Sequence, residues 1–284
     1  MLVRLDEEMR QINYKILSLF LVWAVLAVFT GIYDLEISKS VVNNNCSWPK
    51  FLQDYGMIPG IIVLLAGIYI YYAYLITNKT GLLFLKKAFF FITANLLIIY
   101  MLDVLISNIT QNENALTNYF YSISGISILI NVVIIAVLHS KKFKLKSAVI
   151  NFSRVTIALG FWGYIICIQL VKTLWGRVRF RELDELFSNF TPWYIPQGLT
   201  GFDSFPSGHA AMGWIILPLM ILMINKKRWL KYLVFCLICC WAIAVAVSRV
   251  VIGAHYASDV LFGSFFIIPV FYFLKNKINR NSHI

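Results

Sequence analysis

Apolar runs of bilayer-spanning length recur along the chain, separated by short polar stretches. About 20 apolar residues cross the hydrocarbon core as a helix, and runs of about that length fall at 16–32, 57–76, 88–106, 119–138, 149–171, 207–224, 232–247 and 257–274. The pattern predicts an all-α, polytopic membrane helical bundle of about eight transmembrane helices. Between the first two runs, residues 34–54 carry Asn43, Asn44, Asn45 and Pro49 and read as an irregular loop outside the bilayer. The third run holds Asp103 near its far end, close enough to the interface to reach it. The longest connection is 172–207. Within it, the stretch from Arg181 to Phe187 reads as a short amphipathic helix, followed by an aromatic belt of Phe190, Trp193 and Tyr194 lying in the headgroup plane.

Composition agrees with a membrane protein: 60% of the 284 residues are hydrophobic and 13% charged, with a mean hydropathy of +0.76. No stretch remains for a separate soluble domain. The net charge of +12 does not indicate a nucleic-acid partner, because the lysines and arginines sit in alternate short connections. The N-terminal segment, 78–87, 139–147, 226–231 and the tail from Lys275 hold most of those outside the motifs below. By the positive-inside rule these are cytoplasmic, so the other connections are extracytoplasmic. Residues 1–12 lack the cleavage signal of a secretory peptide, so the first run is expected to stay as an anchor. Cys167, Cys236, Cys239 and Cys240 lie in apolar segments and read, with Cys46, as no disulfide framework; adjacent Cys239 and Cys240 lack the second pair of ligands a metal site needs.

Two polar stretches stand out in so apolar a chain. Pro206-Ser207-Gly208-His209 opens an apolar helix, whose N-terminal N–H groups at Ser207 and Gly208 suit an anion. In the second, Ser248-Arg249 is followed by His255 and Asp259. An i, i+4 spacing on a helix lets the carboxylate orient one imidazole nitrogen, the wiring of a histidine nucleophile or base. Arg249 offers a planar fork of donors for a phosphate oxyanion, and His209 is placed to be a proton donor. Upstream, Lys172 and Arg179 add two further cations. All three stretches emerge at the extracytoplasmic ends of their helices, which predicts one composite site.

These residues resemble the signature of the type 2 phosphatidic acid phosphatase (PAP2) superfamily, which reads K-x6-R-P, then P-S-G-H, then S-R-x5-H-x3-D. Lys172 and Arg179 have the first spacing, residues 206–209 the second, and Ser248, Arg249, His255 and Asp259 the third, with Phe180 where the family has proline. The resemblance implies a six-helix core over 87–284, preceded by an N-terminal segment, 1–86, with two further transmembrane helices. It also implies an integral-membrane lipid phosphate phosphatase of the cytoplasmic membrane, with both termini cytoplasmic. In that scheme His255 attacks phosphorus to form a phosphohistidine, Asp259 fixes the tautomer of its ring, and His209 protonates the leaving group. Lys172, Arg179, Arg249 and the N–H groups of Ser207 and Gly208 bind the phosphate oxygens. His255 is then required neutral and His209 protonated, and no cofactor or metal is called for. The expected partners are the bilayer and a lipid phosphate such as phosphatidylglycerophosphate, phosphatidic acid or undecaprenyl diphosphate. A lipid phosphotransferase with the same intermediate and a non-catalytic lipid transporter are the alternative readings.

Overall fold

The computed structural model describes residues 2–43, 45–77, 83–110, 114–141 and 143–281, and among these the regular structure is all helical, without strands. The elements in order are α1 (Leu2–Val41), α2 (Ser47–Tyr55), α3 (Ile58–Thr77), α4 (Leu83–Thr110), α5 (Ala115–Asn118), α6 (Phe120–Ser140) and α7 (Ser147–Ala158). The last widens into a π-helical segment (Leu159–Leu170) and closes with α8 (Val171–Trp175). A 3-10 turn (Phe180–Glu182), α9 (Gly208–Trp214), α10 (Leu219–Leu222), α11 (Arg228–Val251) and α12 (Ala257–Asn281) complete the chain. The basic connection expected over 78–87 lies partly outside the described residues, as do Asn44, Lys142 and 282–284 of the tail.

Among the described residues, seven helical stretches are long and apolar enough to cross a membrane: Leu17–Val41, Ser47–Thr77, Phe84–Thr110, Phe120–Ser140, Ser147–Glu182, Arg228–Val251 and Ala257–Ile278. The bundle is polytopic, as the hydrophobic pattern predicts. Its outward faces carry large apolar side chains such as Val25, Leu129 and Leu237, as a hydrocarbon solvent permits. The run at 207–224, expected as one span, is instead two short helices joined by turns at 215–218. Pro218 accounts for the break, since it has no N–H to donate and its ring crowds the preceding turn.

Two further expectations are corrected. Residues 34–54 do not form an irregular loop: α1 continues to Val41, and 47–55 fold as α2. The extra helical turns of α1 bury Asp34 and Ser38. Nor is the stretch 181–187 an amphipathic helix beyond its first turn. The Asp184 carboxylate accepts from Ser188 N at 2.8 Å, and Asp184 N donates to Asn189 Oδ1 at 3.2 Å, local bonds that compete with helix. Trp193 turns inward rather than into a headgroup belt: its indole N–H donates to Ala27 O at 2.9 Å, and its ring lies 4.4 Å from that of Phe262.

The core binds the N-terminal helices to the rest. Trp23 stacks on Phe265 at 4.1 Å, and Ala27 packs in one cluster with Phe205 and Phe262. The end of α1 is tied to the end of α11 through Asn43 N and Val251 O at 2.8 Å. Gly263 lets α12 approach the start of α9, since a Cβ there would lie 2.4 Å from Ser207 O. Gly263→Ala is therefore expected to force the two helices apart at a cost of about 1–3 kcal/mol. Thermal unfolding in detergent checks this; an unchanged melting temperature contradicts the close approach.

Candidate active site

The ends of α8, α11 and α1, the starts of α9 and α12, and α2 meet at one end of the bundle, and every residue singled out from the sequence is there. Gly176 ends α8 in the left-handed region at φ 63°, where a Cβ would sit 2.1 Å from Gly198 O. The turn it makes sends the chain from Lys172 back across the bundle end toward Arg179. Lys172 Nζ lies 3.2 Å from Asp203 Oδ2. Arg179 also pairs with Asp203, and through Nη1 with Glu182 Oε1 at 3.2 Å. One carboxylate thus holds both cations of the first motif. Burial pushes the Asp203 carboxyl up, but Lys172 and Arg179 outweigh it and hold the group below the usual range.

Ser207 is the N-cap of α9, its Oγ accepting from Ala210 N at 3.4 Å. Its own N–H donates to Asp259 O at 2.9 Å. That corrects the expectation that the Ser207 N–H serves an anion: it fastens α9 to α12. The Gly208 N–H stays in the first turn, where no carbonyl of the helix can reach it. His209 points its Nε2 at the carbonyl of Gln53, in α2, at 3.1 Å. Because a carbonyl only accepts, Nε2 carries the hydrogen. Burial and the nearby Arg249 push the ring well below its ordinary value, so His209 rests neutral, which corrects the expectation of a protonated His209 in the free enzyme.

At the end of α11, the Arg249 carbonyl accepts from both Ala254 N (3.0 Å) and His255 N (3.1 Å). This doubled turn places His255 beside the arginine that precedes it. Arg249 is only 5% exposed, and its Nε and Nη1 meet no protein acceptor. Its guanidinium has donors to spare where little solvent reaches it, an arrangement suited to an anion. His255 is buried, with Nδ1 facing Asp259 Oδ2 at 3.5 Å, longer than a hydrogen bond, and Nδ1 has no other protein partner. Burial pushes the His255 imidazole down to about 4, against the pull of Asp259. At neutral pH the ring is uncharged, and Nε2, on the side away from Asp259, carries the free lone pair. Lys172, Arg249, His209 and His255 lie within electrostatic reach of one another.

Asp259 is fully buried and receives donors only: Arg177 Nη1 at 2.6 Å, Ser204 Oγ at 2.6 Å and Tyr256 N at 2.9 Å. Arg177 was not singled out in the sequence, nor were Asp34, Asp203, Ser204 and Ser258, which complete the polar network. Arg177 has a faint signal, standing between Lys172 and Arg179 in an Arg-Val-Arg alternation that puts the two arginines on one side of an extended chain. Asp34 has another, a carboxylate that follows the first apolar run at the motif-bearing end. Neither signal tells a buried partner from an interfacial charge.

Residues 152–282 match the family model of the PAP2 superfamily, a stretch that takes in every residue named from the three motifs. No curated protein and no solved structure matches the chain.

Since Asp203 occupies Lys172 and Arg179, an incoming oxyanion must compete with it. Asp203→Asn is expected to tighten binding of inorganic phosphate by about 3- to 10-fold, on the order of 1 kcal/mol for a partly exposed ion pair. Titration calorimetry on the detergent-solubilised protein measures it, and weaker binding in the variant would mean that Asp203 helps to hold the anion.

Proposed function

With residues 152–282 forming a PAP2 superfamily domain in a chain of membrane-spanning helices, we propose that the protein is a lipid phosphate phosphatase acting at the extracytoplasmic face. It hydrolyses a phosphomonoester or diphosphate through a phosphohistidine. One observation carries this reading: an uncharged, buried His255, its Nδ1 facing Asp259 at 3.5 Å, lies beside an Arg249 whose Nε and Nη1 have no protein partner.

The Nε2 lone pair of His255 attacks phosphorus, and the bond to the leaving oxygen breaks as the N–P bond forms. The positive charge that develops on the imidazole faces Asp259. Arg249, Lys172 and Arg179 take up the charge on the phosphoryl oxygens, the last two once phosphate has displaced Asp203. His209 holds its Nε2–H against Gln53 O, and the phosphate dianion brought beside it favours the second proton on the ring. It gives a proton to the departing oxygen. Water then attacks the phosphohistidine, His209 accepts its proton, the N–P bond breaks and inorganic phosphate leaves.

A lipid substrate is supported by an apolar cavity of about 760 Å³ between α3, α4 and the π-helical segment. Tyr100 and Tyr164 line it; Tyr100 is within electrostatic reach of Arg249, and the Tyr164 hydroxyl lies 3.4 Å from where a Cβ on Gly208 would be. Phosphatidylglycerophosphate, phosphatidic acid and undecaprenyl diphosphate each join a phosphate to chains that such a cavity accepts. The extracytoplasmic assignment rests on the basic connections at the other end of the bundle, among them Lys141, Lys144 and Lys146, and Lys226, Lys227 and Arg228.

Purified protein in detergent is expected to release inorganic phosphate from at least one of these lipids. His255→Ala should lose about 10³-fold or more of that rate, and retained activity in the variant would exclude the histidine mechanism. Because His255 must be uncharged to attack, the acid limb of kcat/KM is expected near pH 4 rather than near 6.5; a limb at 6.5 contradicts the buried, neutral ring. With three side-chain cations on the phosphate, release is expected to continue in EDTA, and a loss that magnesium alone restores would overturn that account.

A further inference from the structure

We propose that Asp34 of α1, outside the stretch that matches the family, is a positioning residue for the reaction, acting through Arg177 on Asp259; this rests on the phosphohistidine reading above. The connections are short and fully buried. Arg177 Nη2 donates to Asp34 Oδ2 at 2.9 Å, while its Nη1 donates to Asp259 Oδ1 at 2.6 Å and to Ser258 Oγ at 2.8 Å. Ser258 N donates to Asp34 Oδ1 at 2.9 Å, and the Ser258 hydroxyl bonds Asp34 Oδ2. Arg177 Nε is taken by Thr191 O at 2.8 Å, and the guanidinium carbon lies over the Tyr256 ring, 3.9 Å from its centre. Arg177 and Ser258 are 0% exposed, as is Asp259, and Asp34 1%.

This arrangement fixes geometry and charge together. Every group around Asp34 donates to it, as an ionised carboxylate requires. Arg177 alone would cancel the charge of Asp259, which His255 needs as its ring becomes cationic. With Asp34 on the other edge of the same guanidinium, two carboxylates share one cation, and formally one negative charge is left beside the imidazole. The same bonds hold Arg177 square to Asp259, so the carboxylate keeps its edge toward Nδ1. The other ionisable groups facing His255 are the cations Lys172 and Arg249, the imidazole of His209, and Asp203, whose charge Lys172 and Arg179 take up. The cations attract phosphate but oppose charge on the ring, which makes the negative balance behind it the stabilising partner of the attack. Asp34 touches neither substrate nor histidine.

The test is phosphate release from dodecyl maltoside micelles of phosphatidylglycerophosphate, phosphatidic acid or undecaprenyl diphosphate, well below the melting temperature of each variant. Asp34→Asn keeps the shape and removes the charge. It is expected to lower kcat by about 10- to 100-fold, the range for a group that acts through the residue it orients, with KM within about threefold of wild type. Ser38→Ala, one turn along the same helix and equally buried, is expected to keep the wild-type rate. Wild-type kcat in Asp34→Asn, or a raised KM with unchanged kcat, overturns the proposal. If Asp34→Asn does not fold, Arg177→Gln is compared with the charge-balanced pair Asp34→Asn/Arg177→Gln. The pair should be no slower than Arg177→Gln alone, whereas a further loss of about tenfold would show that Asp34 acts independently of Arg177. A wild type inert on all three lipids removes the phosphatase reading and this proposal with it; an active wild type with an equally active Asp34→Asn removes this proposal alone.

Discussion

A guanidinium without access to water must have its charge matched by the protein, and Arg177 has been given two carboxylates, a hydroxyl, a carbonyl and an aromatic face. Taking away one partner of such a group leaves an uncompensated buried charge, at a cost of about 3–5 kcal/mol. That penalty joins three elements distant in sequence: the far turns of α1, the connection after α8 and the first turn of α12. The bundle end is therefore rigid where the proposed nucleophile is held, and the polar network leaves few other ways for these helices to pack. The cluster also fixes Asp259, the carboxylate that faces His255.

Around this anchor the site separates two kinds of charge. Behind His255 lie the carboxylates, saturated with donors. In front lie the cations, of which Arg249 keeps donors unused, while Lys172 and Arg179 rest on Asp203. In the proposed reaction a phosphoryl group would sit between the two, drawn by the cations toward a nitrogen that the opposite field prepares to carry positive charge. The apolar cavity below supplies what water could not, a solvent for hydrocarbon next to a polar reaction centre. α2 closes the arrangement by offering the Gln53 carbonyl to His209, so one of the two histidines meets the N-terminal helices directly.

Hydropathy made the membrane bundle legible because spanning segments must satisfy their own backbone, and motif spacing brought out Lys172, Arg179, His209, Arg249, His255 and Asp259, which the fold gathers at one end of the bundle. What escaped depends on three-dimensional pairing. Asp34 was read as the start of a loop, since a carboxylate after an apolar run ordinarily reaches water, and only the distant Arg177 makes its burial tolerable. Trp193 looked interfacial by type, yet Ala27 O takes its N–H and Phe262 its ring. Ser207 belongs to the motif as expected, but its N–H is spent on Asp259 O, a detail set by how closely Gly263 lets α12 approach. The break at Pro218 was visible in the sequence and outweighed by the apolar run around it.

The central claim is that His255 Nε2 becomes covalently bonded to phosphorus. The most direct test is to quench the protein in base during turnover of radiolabelled phosphatidic acid, or of whichever lipid phosphate it turns over, and to locate the label by peptide mapping. The account predicts a base-stable, acid-labile phosphate on the peptide carrying His255, absent from His255→Ala. Turnover with no labelled histidine, or equal labelling of the variant, would contradict it.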